Sequence, residues 1–359
     1  MVSRTRSRGR GAAPVLVEVL RDGRVESQHR GSIVVVSPDG RVVASVGDPE
    51  TFTYLRSAAK PFQLAPFVVS GHFDEYRLGT EALAIMAASH AGEDRHVRLV
   101  QEILRRAGLS SSVLQNLAHE PFDVETANRL IRDGERPTTL RGNCSGKHAG
   151  MVLFAKASGW PVETYWEPDH PVQRAALEAV AALTDMRTDE IATATDGCGV
   201  VTFGAPLRGL AVAFARLADP SAVPDRPLSE ALRRIRDAMM AHPELVAGER
   251  HGLDTVLMRA FPGRLVSKGG AEGVLALGVL PGALPDGAPF GAGPLAIAAT
   301  VEDGTGTRRA GGVIMVAALR QIGLATEELP PGLNRAAAPP IVDPRGEPSG
   351  AVRPAFNLS

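Results

Sequence analysis

Strand-like patterning at both ends of this 359-residue chain brackets a long stretch of helical patterning, and that order limits the folds open to it. Near the N-terminus PVLVEVL and RVESQHRG flank Arg21-Asp-Gly-Arg24, while SIVVVS and RVVASVG flank Pro38-Asp39-Gly40. Asp-Gly between β-prone runs is a hairpin signal. Over 60–185 the runs EALAIMAASH, RHVRLVQEILRRAG, HAGMVLFAKASGW and HPVQRAALEAVAALT carry apolar residues at helical spacing. Asp169-His170-Pro171 marks a helix start. PLRGLAVAFARLAD and PLSEALRRIRDAMMA continue the helical pattern. Strands return from about 262 with GRLVSKGG, GVLALGVL and PLAIAATVED, followed by a helix in RRAGGVIMVAALRQIG. Ile341–Ser359, with Gly346-Glu-Pro-Ser-Gly350 between β-prone pieces, reads as a terminal hairpin added to the sheet.

Strands at the two ends must find partners, and they find them in each other. The fold class is therefore α+β: an antiparallel sheet built from both chain ends beside a mainly helical region. The organisation expected is a disordered basic leader at 1–13, a sheet-containing α/β domain from 14–60 plus 262–359, and a mainly helical domain over 61–261 that carries the Cys-containing loops.

Composition narrows the class of function. A net charge of −1 gives no general affinity for nucleic acid or anionic membrane. No apolar run reaches the roughly 18 residues of a membrane span. Arg4, Arg6, Arg8 and Arg10 have no apolar stretch behind them, so the leader is not read as a signal peptide. With two cysteines and no secretion signal, the cytoplasm is the expected compartment.

Only four of the 39 Lys and Arg residues are lysines: Lys60, Lys147, Lys156 and Lys268. Arginine serves wherever a positive charge is enough, but guanidinium keeps its proton whereas a buried ammonium can lose it. The surviving lysines are thus candidates for proton transfer or ligation. Lys156 lies in an apolar helical run and reads as a bystander. The other three sit in short strings rich in small or polar residues.

Ser57 and Lys60 form an S-x-x-K pair, whose members share a face in a helical turn. A neutral Lys60 can then take the serine proton, although Pro61 biases Lys60 away from helical geometry. Ser89-His-Ala-Gly-Glu93 reads either as a helix end or as a second hydroxyl lining a pocket. Lys268-Gly-Gly270 is either a simple turn or a strand end allowing close approach by a ligand. Gly142-Asn-Cys-Ser-Gly-Lys-His148 fails the phosphate-loop pattern, having three residues between its glycines and His148 after the lysine. Cys144, Lys147 and the later Asp196-Gly-Cys198-Gly leave two readings: thiolates converging on a soft metal such as zinc, or a pair of buried inert thiols.

Together the strings RSAAKPFQ (56–63), SHAGE (89–93), RGNCSGKHAGM (141–151), DGCGVVTF (196–203) and VSKGGAEGV (266–274) resemble the Rhizobium-type L-asparaginases. The resemblance implies a fold similar to the serine β-lactamases, penicillin-binding proteins and bacterial glutaminases, a homodimer, and hydrolysis of L-asparagine to L-aspartate and ammonia. It implies two Ser–Lys tandems, Ser57 with Lys60 and Ser89 with Lys268, and a Zn2+ held by Cys144, Lys147, Cys198 and water.

In that reading Ser57 attacks the side-chain amide with Lys60 as base. Ser89 and Lys268 relay a proton to the departing ammonia. The metal tunes affinity by orienting Lys147, His148 and Asp196 toward the substrate, and Arg56 is a further group for its carboxylate. The rivals are a glutaminase or other serine amidase of β-lactam-hydrolase type, and a zinc-bound binding module without turnover.

Overall fold

The computed structural model describes residues 12–250, 252–305 and 307–359. Except for residues 12 and 13, the basic leader lies outside the described residues.

Among the described residues eleven strands form two sheets. They are β1 (Val15–Arg21), β2 (Arg24–Val36), β3 (Val42–Val46), β4 (Phe52–Tyr54), β5 (Ala192–Thr195), β6 (Val201–Pro206), β7 (Leu265–Ser267), β8 (Val274–Val279), β9 (Leu295–Val301), β10 (Ile341–Val342) and β11 (Pro348–Pro354). The large sheet runs β10-β11-β1-β2-β9-β8-β7, with β3 also paired to β2. All of its pairings are antiparallel. The two chain ends meet twice. Val17 faces Pro354 across β1 and β11, and Ile33 faces Ala299 across β2 and β9. The terminal hairpin is present, and the sheet is assembled from both ends of the chain.

Gly31–Val36 of β2 and the whole of β8 are buried without alternation, which requires cover on both faces of the sheet. The helix Leu207–Ala218 lies against β2, β8 and β9, and the helix Thr307–Gln321 against β1, β8 and β11. The first of these comes from the middle of the chain. Its almost unbroken apolar sequence has a physical reason: it is packed on the sheet on one side and on the helix Pro171–Thr184 on another.

The middle of the chain is not wholly helical. A small antiparallel sheet, β4-β6-β5, joins Phe52–Tyr54 of the N-terminal region to strands at 192–206. This sheet positions the site. It delivers Arg56 and Ser57 at the end of β4, and the turn carrying Asp196 and Cys198 between β5 and β6.

Candidate active site

Lys60, Lys147 and Lys268 are all buried, at 1%, 4% and 2% exposure, whereas Lys156 is exposed and donates to the Ala107 carbonyl. Burying an ammonium is costly unless it is partnered or neutral. The three therefore mark a place where the fold tolerates such groups close together, since the charges of Lys60 and Lys147, and of Lys60 and Lys268, act on each other.

Lys60 opens the helix Lys60–Val69 directly after a 3-10 turn, Arg56–Ala59. Its backbone is helical, φ −58° and ψ −40°, in spite of Pro61. Proline at the first turn removes an N–H that has no helical partner anyway, and this outweighs the bias on the residue before it. Lys60 Nζ donates to Ser89 Oγ at 2.8 Å, to Cys144 Sγ at 3.2 Å and to the Ala88 carbonyl. Among the described residues no hydrogen bond joins Ser57 Oγ to Lys60, nor Ser89 to Lys268. Ser57 and Ser89 are both partly exposed. Burial pushes the Lys60 pKa down; the neighbouring Cys144 opposes that shift and Lys147 adds to it.

Ser89 follows the helix Thr80–Met86 and is fixed by its N–H to the Val246 carbonyl. The next N–H, of His90, donates to the Asn143 carbonyl, tying this segment to the residue before Cys144. The helix Ser145–Ala157 can press onto the end of Thr80–Met86 because residue 146 is glycine: a Cβ there would lie 2.2 Å from the Ile85 carbonyl oxygen. Glu93 caps the following helix and accepts the Glu249 N–H, so its part of the SHAGE string is structural.

Lys268 follows β7. Its Nζ lies 3.6 Å from Asp254 Oδ2, and the same carboxylate accepts from Ser267 Oγ at 2.7 Å and from the Gly269 N–H at 2.9 Å. Burial pushes the Lys268 pKa down to about 8; Asp254 resists the shift and the charge of Lys60 adds to it. Gly270 brings this loop against the Ser57 turn, since a Cβ there would lie 2.9 Å from the Leu55 carbonyl oxygen.

Arg56 adopts a left-handed backbone, φ +50°, which costs an arginine on the order of 1 kcal/mol. The strain sits one residue before Ser57 and sends the guanidinium onto Asp196, Nε to Oδ1 at 2.8 Å. The remaining Asp196 oxygen lies 3.6 Å from Cys198 Sγ and 4.0 Å from Lys147 Nζ.

Cys144, Lys147 and Cys198 converge. Lys147 Nζ donates to Cys198 Sγ at 3.0 Å, and both cysteines are free and buried. A hydrogen bond from Cys144 lowers the Cys198 pKa, with help from Lys147 and His148, while that same bond and burial raise Cys144. The bond thus favours negative charge on Cys198 over Cys144. The Lys147 pKa rises: burial opposes this, but the charges of Cys198, Cys144 and Asp196 prevail. Two sulfurs and the Lys147 amine, once metal binding displaces its proton, are donors suited to a soft divalent metal, so the residues present fit zinc by chemistry. Among the described residues no three His, Cys, Asp or Glu side chains converge as a metal site, because one of the three donors here is a lysine.

His148 is fully buried, with Nδ1 2.6 Å from the Tyr165 hydroxyl. Tyr165 and Asp254 are the groups that sequence reasoning missed. Neither lies in any of the short strings, and no signal along the chain ties either one to the site.

Residues 17–354 match the family described as L-asparaginase II. The chain is therefore an amidohydrolase. It belongs to the L-asparaginase II family. No curated protein matches it. Among solved structures it is similar to a probable glutaminase of Bacillus subtilis, at 13% identity over 82% of this chain and 88% of that one, with a TM-score of 0.42. It is also similar to a Bacillus glutaminase in 4.3 M NaCl, at 12% identity over 82% and 92%, with a TM-score of 0.39. Among the described residues no helix is long and apolar enough to cross a membrane.

Proposed function

We propose that the chain hydrolyses L-asparagine to L-aspartate and ammonia by Ser–Lys acyl transfer. The observation that carries this reading is Lys60, a buried amine with depressed basicity, 2.8 Å from Ser89 Oγ and three residues after Ser57. A lysine whose pKa is lowered by burial gives up its proton more readily than an ordinary lysine, and can then take one from a neighbouring hydroxyl.

Ser57 Oγ attacks the side-chain carbonyl carbon of the substrate as its proton passes to Lys60. The tetrahedral oxyanion would sit near the Ser57 N–H, because the next N–H in this turn, that of Ala58, is already given to the Leu55 carbonyl. The C–N bond breaks as ammonia takes a proton through Ser89 and Lys268. Water then hydrolyses the aspartyl ester. The Lys60–Ser89 hydrogen bond favours a second assignment, in which Ser89 is the nucleophile and Ser57 the relay.

The Arg56–Asp196 ion pair supports binding of a zwitterion, because its members can open to take an α-carboxylate and an α-ammonium. Cys144, Lys147 and Cys198 would hold a zinc ion, whose positive charge would draw the substrate's carboxylate toward the site. The reading extends to a homodimer, checked by light scattering.

Ammonia release measured with L-asparagine and L-glutamine tests the substrate. Turnover of L-asparagine at least tenfold above L-glutamine is expected. The reverse preference would make the protein a glutaminase.

A further inference from the structure

Tyr165 is completely buried, and its hydroxyl has two partners. The Gln115 N–H donates to it at 2.9 Å, and His148 Nδ1 lies 2.6 Å away. Gln115 occupies a lone pair of the phenol oxygen. Among the described residues, His148 Nδ1 is then the acceptor left for the phenolic proton. If Nδ1–H donated instead, that proton would be buried without a partner, at a cost of about 1–3 kcal/mol. So Nδ1 accepts, and a neutral ring must carry its proton on Nε2. Nε2 itself is buried without a hydrogen-bond partner of good geometry and sits beside Cys198.

We propose that Tyr165 is a positioning residue that locks His148 as the Nε2–H tautomer, so that His148 offers the site a hydrogen-bond donor for an anionic group and not a lone pair for a metal. A metal on Cys144, Lys147 and Cys198 therefore gains no fourth ligand from His148. The donor suits a carboxylate and not an ammonium, which leaves the substrate's ammonium to Asp196. That last step rests on the amino-acid amide proposed above; the tautomer does not.

The test is nitrogen-15 NMR of the full chain labelled in its histidine rings, without metal and with Zn2+, the His148 signals being assigned by their loss in His148→Gln. In both states Nε2 is expected to read as protonated and Nδ1 as bearing a lone pair. In Tyr165→Phe the population shifts toward Nδ1–H. A wild-type Nδ1–H tautomer, or loss of the Nε2 proton on adding Zn2+, would overturn the proposal, and this holds whether or not Tyr165→Phe folds. His148→Ala should weaken L-aspartate binding by about tenfold or more and leave 3-aminopropanamide, which lacks the carboxylate, unchanged. Equal loss for both overturns the carboxylate assignment. If the wild type binds L-aspartate not at all, the substrate reading fails while the NMR result stands.

Discussion

Lys60 reaches across 29 residues of sequence to hold Ser89 Oγ at 2.8 Å, while the Oγ of Ser57, three residues before it, makes no hydrogen bond among the described residues. One buried amine thus serves a hydroxyl from another segment, and the partly exposed Ser57 Oγ is left free to meet a substrate.

Lys60→Arg tests whether that amine moves a proton. Guanidinium keeps the charge but cannot act as a base. Turnover should fall by about 10²–10⁴, with KM changed far less. Near-normal steady-state turnover would remove the general-base role.

The pH profile follows from Lys268. Its pKa of about 8 lies below that of a free lysine, so the ammonium that passes a proton toward the departing ammonia is lost as pH rises through 8, and kcat should fall over that window. The same shift makes the unfolded chain the stronger proton binder between pH 8 and about 10.4, so Lys268 adds to stability as pH rises there. A rate profile flat from pH 7 to 9 would rule Lys268 out of the relay.

Asp254 raises the Lys268 pKa and fixes its loop through the Gly269 N–H. Asp254→Asn keeps an acceptor for Gly269 and loses the charge. The rate limb should then move to lower pH. An unmoved limb with a simple loss of stability would make Asp254 purely structural.

These two residues show where sequence reasoning stopped. The sheet was legible because β-prone runs at both ends could pair only with each other, and three site lysines were legible because arginine had replaced nearly all the rest. Asp254 and Tyr165 had no such contrast. Each is a single polar residue in an ordinary segment, brought to the site by pairings such as that of β7 with β8 or by the Gln115 N–H. The contact of Lys60 with Ser89 was equally hidden, since S-x-x-K points to the local partner. The place of Leu207–Ala218 on the sheet was hidden because an apolar helix does not disclose what it covers.

The Arg56–Asp196 pair should govern affinity. Asp196→Asn removes the group facing an α-ammonium and is expected to raise KM at least tenfold, with kcat falling less. Initial rates across substrate concentration read both terms. A pure loss of kcat would move Asp196 from binding to chemistry.

Removing the soft donors separates metal from mechanism. Chelation, or Cys198→Ser, should mainly raise KM, and Lys156→Arg should change neither constant. Loss of kcat on chelation would give a metal a part in the chemical step.

The most direct test is rapid-quench mass spectrometry of the wild type with L-asparagine, beside Ser57→Ala and Ser89→Ala. The account predicts a transient aspartyl adduct on the peptide carrying Ser57, absent from Ser57→Ala. An adduct on Ser89 would reverse the roles of the two serines. Full ammonia release by the Ser57→Ala, Ser89→Ala double variant would contradict Ser–Lys acyl transfer altogether.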